Sequence, residues 1–138
     1  RTSNGVDYNR MVIVMAILEK RVGLYLSGSD SYLNVIGGMR LDEPAIDLPI
    51  ALALASSYRD QSLPEGMVAF GEIGLTGELR AVSAAEQRIQ EAVRLGFTAC
   101  VMPMQDLGHI KVPESFQIIP VRNVAQAIAA VFGRKSED

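Results

Sequence analysis

Residues 11–18 read Met-Val-Ile-Val-Met-Ala-Ile-Leu, eight apolar side chains in succession. A surface helix shows an apolar stripe on one side only, whereas a helix that is apolar all round is enclosed by the rest of the fold. Asp7 stands just ahead of the block, where a carboxylate caps the first free N–H groups of a helix. Lys20 and Arg21 close it, where cations suit the negative end of the helix dipole. The sequence therefore predicts a buried helix from Asp7 to about Arg21, preceded by a polar arm over residues 1–5. Eight residues is far short of the roughly 18 apolar positions of a membrane span, and none of the other apolar blocks is longer than this one needs to be.

The remaining segments supply the layers around that helix. Residues 27–31, Ser-Gly-Ser-Asp-Ser, form a turn, and residues 32–36 read as a strand ending at Gly37-Gly38. An Ala- and Leu-rich helix is expected over residues 47–58, with Asp47 as its cap and Pro49 in the first turn, where a missing N–H costs nothing. Residues 67–73 read as one strand, Gly74-Leu-Thr-Gly77 as a tight connection, and residues 78–82 as a second short strand. Ser83 is the expected cap of a helix running to Gly96, with Glu86 at the capping-box position. Strands over 98–102 and 115–120 and a last helix over 123–132 complete the chain. Strands and helices alternate without a clean βαβ repeat, so the fold class expected is α+β, a mixed sheet with packed helices. The division is an arm at 1–5, one domain at 6–132 and a tail at 133–138.

Charge and cysteine content narrow the setting. The chain carries a net charge of −3, which by itself offers no case for nucleic acid. Residues 1–40 hold five basic against three acidic side chains, and the remainder eight against thirteen, so the cations are relatively concentrated near the start. The one cysteine, Cys100, lies in the apolar run 98–102 and reads as a buried reduced thiol, in keeping with a cytoplasmic protein. The chain begins at Arg1 without a basic-then-apolar leader or an initiator Met, so it is expected to be a non-secreted piece of something longer.

Most catalytic chemistries fail on residue inventory. A phosphate-cradling loop needs Gly-x4-Gly-Lys-Ser/Thr, but the three lysines, Lys20, Lys111 and Lys135, do not follow glycine. No Gly-x-Gly-x-x-Gly run occurs. One His and one Cys cannot furnish a zinc site, and a carboxylate site around Asp42 and Glu43 has little to recommend it. His109, in the loop beginning at Asp106, is a lone imidazole without the serine and acid of a triad in view.

Two segments carry a resemblance. Asp42-Glu-Pro-Ala-Ile-Asp47, followed by the Ala/Leu helix, resembles the Lon-protease segment Asp-Gly-Pro-Ser-Ala-Gly, in which Ser is the nucleophile. Gly71-Glu-Ile-Gly-Leu-Thr-Gly-Glu-Leu-Arg80, followed by a helix, resembles that family's Gly-Glu-Ile-x-Leu-x-Gly-x-Val run, after which the helix carries the general-base Lys. The resemblance spans residues 6–132 and implies the proteolytic-domain fold of Lon, of the ribosomal protein S5 domain 2-like type. It sets Ala45 at the serine position and Glu86 at the lysine position. Ala45 has no hydroxyl to activate, and Glu86 would add negative charge where an oxyanion must form. The implied domain is a protease fold without protease chemistry.

Within that fold family, the runs Asn4-Gly-Val-Asp-Tyr-Asn-Arg10, Leu18-Glu-Lys-Arg21, Asn34-Val-Ile-Gly-Gly38 and Asp42-Glu-Pro-Ala45 resemble the C-terminal domain of the RadA (Sms) family of bacterial DNA-repair ATPases. The resemblance implies a ring-forming, most plausibly hexameric, noncatalytic module of a DNA-dependent ATPase. Such a protein acts in strand exchange and branch migration beside a RecA-type recombinase. ATP, Mg and Zn would be held by domains outside this chain, which would need no cofactor itself. DNA contact would fall chiefly to Arg1 and Arg10, with Arg40, Lys20 and Arg21 as further candidates. Each has a structural alternative: Arg10 paired with a carboxylate at the start of the first helix, Lys20 and Arg21 serving the helix dipole, and Arg40 paired with Asp42 or Glu43. The rival functional readings are an oligomerisation scaffold that touches no DNA and a residual Ser-Lys peptidase.

Overall fold

Asp7 does cap the first helix: its carboxylate accepts the Asn9 N–H at 3.3 Å, and α1 runs Tyr8–Ile17. The computed structural model describes residues 2–4, 7–24, 32–34 and 43–133. After α1 the chain continues through a π-helical turn, Leu18–Val22, and leaves it at Gly23 in the left-handed region. The apolar block is not enclosed on every side as expected. Met11, Val14, Met15, Ile17 and Leu18 are buried, while Ile13 is 48% exposed and Ala16 also faces outward. The helix lies against the fold on one broad side, because its neighbours form a layer and not a jacket.

The segment read as a polar arm contains a strand, β1 (Thr2–Asn4), paired in parallel with β2 (Tyr32–Asn34). The turn at 27–31, positions 35–38 and the tail from 134 lie outside the described residues. A 3-10 turn, Pro44–Ile46, leads into α2 (Asp47–Arg59). The chain is already helical at Asp47 (φ −56°, ψ −46°), so Asp47 does not cap α2 as expected and its carboxylate is free for other work.

Residues 67–73, read as one strand, are two. β3 (Met67–Ala69) pairs with β6 (Ala99–Pro103), whereas β4 (Glu72–Ile73) turns away to pair antiparallel with β5 (Leu79–Arg80). The break falls at Gly71, whose N–H donates to the Ala45 carbonyl at 2.8 Å and whose carbonyl accepts the Leu48 N–H at 3.0 Å. A Cβ there would stand 3.2 Å from Pro103 Cγ on β6, closer than a side chain sits without its neighbour shifting, so a glycine suits the close passage of the strand over β6.

α3 (Ala85–Arg94) then returns the chain to β6, and β7 (Gln117–Val121) lies on β6 in parallel, giving a sheet in the order β3-β6-β7. A βαβ crossover, β3–α3–β6, is thus present after all, obscured in sequence by the β4–β5 hairpin inserted within it. The expected cap at Ser83 is absent. Ala84 takes a left-handed conformation (φ 58°), α3 begins after it without a side-chain cap, and Glu86 forms no capping box. α4 (Val124–Phe132) does follow the sequence, with Asn123 Oδ1 accepting the Gln126 N–H at 2.8 Å.

The three-stranded sheet separates two apolar clusters, and the alternation of strand side chains shows it. Val101, Ile119 and Val121 face α1, α2 and α4, while Cys100, Met102, Ile118 and Phe116 face α3. The result is a mixed α/β domain with a parallel sheet and helices packed on both faces. None of the helices among the described residues is long and apolar enough to cross a membrane.

Burial pushes the Cys100 thiol up from 9.0 to about 12. In the unfolded chain it ionises near its ordinary value, so between pH 9 and 12 the folded state alone keeps the proton. This contribution to stability is complete below pH 9 and is lost as pH rises toward 12. Ellman's reagent at pH 8 is expected to react slowly with the folded chain and rapidly in urea. Urea titrations above pH 9 should show a loss of stability that Cys100→Ala reduces; equal alkaline sensitivity in both proteins would contradict this account.

Candidate functional site

The start of α2 is the meeting point of three segments. Ala45, in the 3-10 turn, is 4% exposed and packs in the cluster with Phe70, Ala85 and Ile89. Two residues on, Asp47 is 3% exposed and is the one charged residue buried among the described residues. Its Oδ1 accepts from Arg10 Nη1 at 2.5 Å, and its Oδ2 accepts the Ile73 N–H at 3.0 Å. Asp47 thereby ties the first turn of α1 and the base of the hairpin to the first turn of α2. A buried carboxylate tolerates desolvation only with such partners.

Beside Ala45 opens a recess lined also by Glu43, Glu72, Val82, Ser83 and Arg88. Arg88 dominates it. Its guanidinium pairs with Glu43, its Nε donates to the Ser83 carbonyl at 3.0 Å, and it lies 5.8 Å over the Phe70 ring. The contact next to Ala45 is therefore a neutralised ion pair. Glu86 is exposed and lies over the loop: a Cβ on Gly108 would come within 3.3 Å of its Oε1.

The hairpin between β4 and β5 is rigid in its own right. The Glu78 carboxylate accepts from Thr76 Oγ1 at 2.5 Å and Thr76 N–H at 3.1 Å, with Arg80 at 3.3 Å. The Thr76 hydroxyl is the main reason its pKa drops to about 2. At the tip, Gly77 (φ +85°) donates to the Gly74 carbonyl at 2.9 Å. A Cβ there would meet the Arg21 stem at 3.4 Å, so the tip rests on the end of α1. The Val124 N–H donates to the Gly77 carbonyl at 2.9 Å, which fixes the tip to α4 as well.

The candidate DNA-contact residues fare differently. Arg10 is held by Asp47, 37 positions away, and not by a carboxylate at the start of its own helix. Lys20 and Arg21 are exposed on the π turn. Arg1, Arg40 and Asp42 lie outside the described residues. Glu43, a suggested partner for Arg40, is engaged by Arg88. His109 is exposed in its loop, Cys100 is a buried free thiol, and no metal-binding group of three His, Cys, Asp or Glu occurs among the described residues. Sequence reasoning missed Arg88 and the tie from Asp47 to Arg10 and Ile73. No local spacing signals contacts between residues 37 or 45 positions apart.

The class follows from comparison with known proteins. The family described as subunit ChlI of Mg-chelatase matches residues 13–106, and the chain belongs to that domain family. The chain is 49% identical over 134 residues to DNA repair protein RadA of Halalkalibacterium halodurans, covering 97% of this chain and 29% of that protein. It is 48% identical over 132 residues to RadA of Streptococcus pneumoniae, covering 96% and 31%. With RadA of Listeria monocytogenes the identity is 46% over 128 residues, covering 93% and 28%. Within its class the chain thus belongs with the RadA family of DNA repair proteins, spanning under a third of the length of these relatives.

Because Asp47 is buried and doubly bonded, Asp47→Ala should cost about 3–5 kcal/mol, by leaving Arg10 and the Ile73 N–H without their acceptor. The Arg10→Ala/Asp47→Ala pair should cost less than the sum of the single changes. Chemical denaturation of the four proteins measures this; strict additivity would show that the pair does not hold α1 to α2.

Proposed function

We propose that this chain is a noncatalytic, Lon-like module of a RadA-type DNA-repair ATPase, which supports a ring of subunits and contacts DNA. The observation that carries the reading is Ala45. At the α2 start, where the resemblance places a serine, stands a buried methyl group, and the side chain beside it is an arginine already neutralised by Glu43. Acyl transfer needs a hydroxyl with a base placed to take its proton; position 45 supplies no hydroxyl, and the arginine beside it is a paired cation and not a base. The parallel sheet with helices on both faces is compatible with the Lon-like fold, with residues 6–132 as its extent. The cytoplasm suits a reduced Cys100.

The nucleotide and metal chemistry of such an ATPase belongs to other domains, since this chain has no Gly-x4-Gly-Lys run and too few thiols and imidazoles for zinc. Association into a hexamer and cooperation with a RecA-type recombinase are parts of the same proposal. DNA contact is assigned to Arg1 and Arg40, with Lys20 and Arg21 secondary. Arg10, whose guanidinium is engaged by Asp47, serves mainly to hold α1.

Two measurements test this. The chain should cleave neither casein nor fluorogenic peptides above buffer; turnover abolished by substituting Ser83 would refute the noncatalytic reading. In fluorescence anisotropy the chain should bind oligonucleotides without sequence preference. Six engaged phosphates per ring give log K falling with log salt at a slope of about −5. Arg1→Glu/Arg40→Glu should weaken binding to all sequences by at least about tenfold. Equal binding by variant and wild type would displace the assignment, and no binding at low salt by a chain that still self-associates would favour the scaffold without DNA contact.

A further inference from the structure

α1 and the β4–β5 hairpin lie side by side, and the two ends of this unit differ in charge. Near the start of α1 a cleft is walled by Ile13, Val14 and Ile73, and carries the carboxylates of Asp7, Asp47 and Glu72 against the single guanidinium of Arg10. Arg10 is itself committed to Asp47, and Arg80 lies 3.5 Å from Glu72, so the surplus of negative charge at the cleft is the one left by Asp7. A phosphate would be repelled there. Apolar walls under carboxylates suit a side chain with an aliphatic stem and a cationic head.

The other end offers such side chains. About 20 Å along the helix, at 1.5 Å per residue, Lys20 and Arg21 stand exposed on the π turn. The Arg21 stem packs beside Gly77 at the hairpin tip. Two positions earlier on that tip is Leu75, 75% exposed and the most exposed large apolar side chain among the described residues. One end thus presents a knob, the exposed Leu75 at the hairpin tip, with the Arg21 stem beside Gly77, Lys20 next to Arg21 in the chain and Glu78 paired with Arg80; the other presents the acidic cleft, with Tyr8 and Ile13 each 48% exposed.

We propose that Lys20, Arg21 and Leu75 of one copy of this chain dock into the Asp7–Glu72 cleft of a second copy. The contact is head-to-tail: each copy uses one surface to give and a different one to receive, so successive contacts close a ring or continue as a filament. The proposal rests on the self-association proposed above and names the surfaces that carry it. Apolar contact by Leu75 supplies area, and the cation–carboxylate pairs set the direction and suppress docking of like ends.

Sedimentation without nucleic acid tests it by charge exchange. Lys20→Glu/Arg21→Glu makes the knob acidic; Asp7→Asn/Glu72→Lys makes the cleft basic while keeping a competent cap at position 7. Each variant alone should associate at least about tenfold more weakly than wild type, and circular dichroism should show both folded. Mixed in equal amounts, they should regain wild-type association, because each acidic knob meets a basic cleft and each basic knob an acidic one. Leu75→Asp, a change at an exposed tip that the fold does not use, should weaken association without altering thermal stability. Undiminished association of the charge variants, or a mixture no better than its components, overturns the docking surfaces and leaves self-association standing. A wild-type chain that stays monomeric at every concentration overturns both.

Discussion

A carboxylate buried at the first turn of a helix is costly unless other groups come to it, and at Asp47 two do. Arg10 brings α1, and the Ile73 N–H brings the hairpin. The remaining contacts at this junction presuppose that arrangement. Gly71 bonds Ala45 and Leu48 where the strand runs beside the start of α2, and the absence of a Cβ at Gly71 leaves room for Pro103 of β6 at the same point. Arg10, α2 and β4 therefore form one unit whose parts do not have independent positions.

The sheet distributes the rest of the fold around that junction. Its two faces are covered by different helices, so the recess beside Ala45 lies on the α3 side of the sheet while the Arg10 cleft lies on the α1 side. Glu72 reaches both, since β4 crosses from one to the other. The polar chemistry of the molecule is concentrated along this hairpin, where Glu72, Glu78 and Arg80 hold one another at the surface. It is held by short-range hydrogen bonds at Thr76 and by the contacts of Gly77 with the π turn after α1 and with α4.

What could be read from the sequence was what local chemistry decides. Asp7 caps the first helix because its side chain reaches the N–H two residues on. The Gly74–Gly77 turn formed where four residues alone determine it. Tertiary demands defeated the same logic elsewhere. Asp47 looked like a cap, but the preceding 3-10 turn had already begun the helix and a distant arginine claimed its carboxylate. Ser83 looked like a cap, but Ala84 adopts a left-handed turn between it and α3. The run at 67–73, apolar but for Gly71 and Glu72, concealed a change of partner at Gly71, which hydrophobicity does not register because both halves are partly or fully buried. At the candidate site, Ala45 and Glu86 were singled out by resemblance alone, and Arg88 was not singled out at all, since its partner Glu43 lies 45 residues earlier.

The Glu43–Arg88 pair also couples positions that lie far apart in the chain. Ala45 is 4% exposed, packed with Phe70 and Ile89 on one side and bordered by the recess that holds the pair on the other. A bulkier or polar side chain at 45 would meet packed apolar groups and two engaged charges at once. Which residues position 45 tolerates therefore depends on what stands at 43 and 88, and the effect of a substitution at any one of the three is set by the other two.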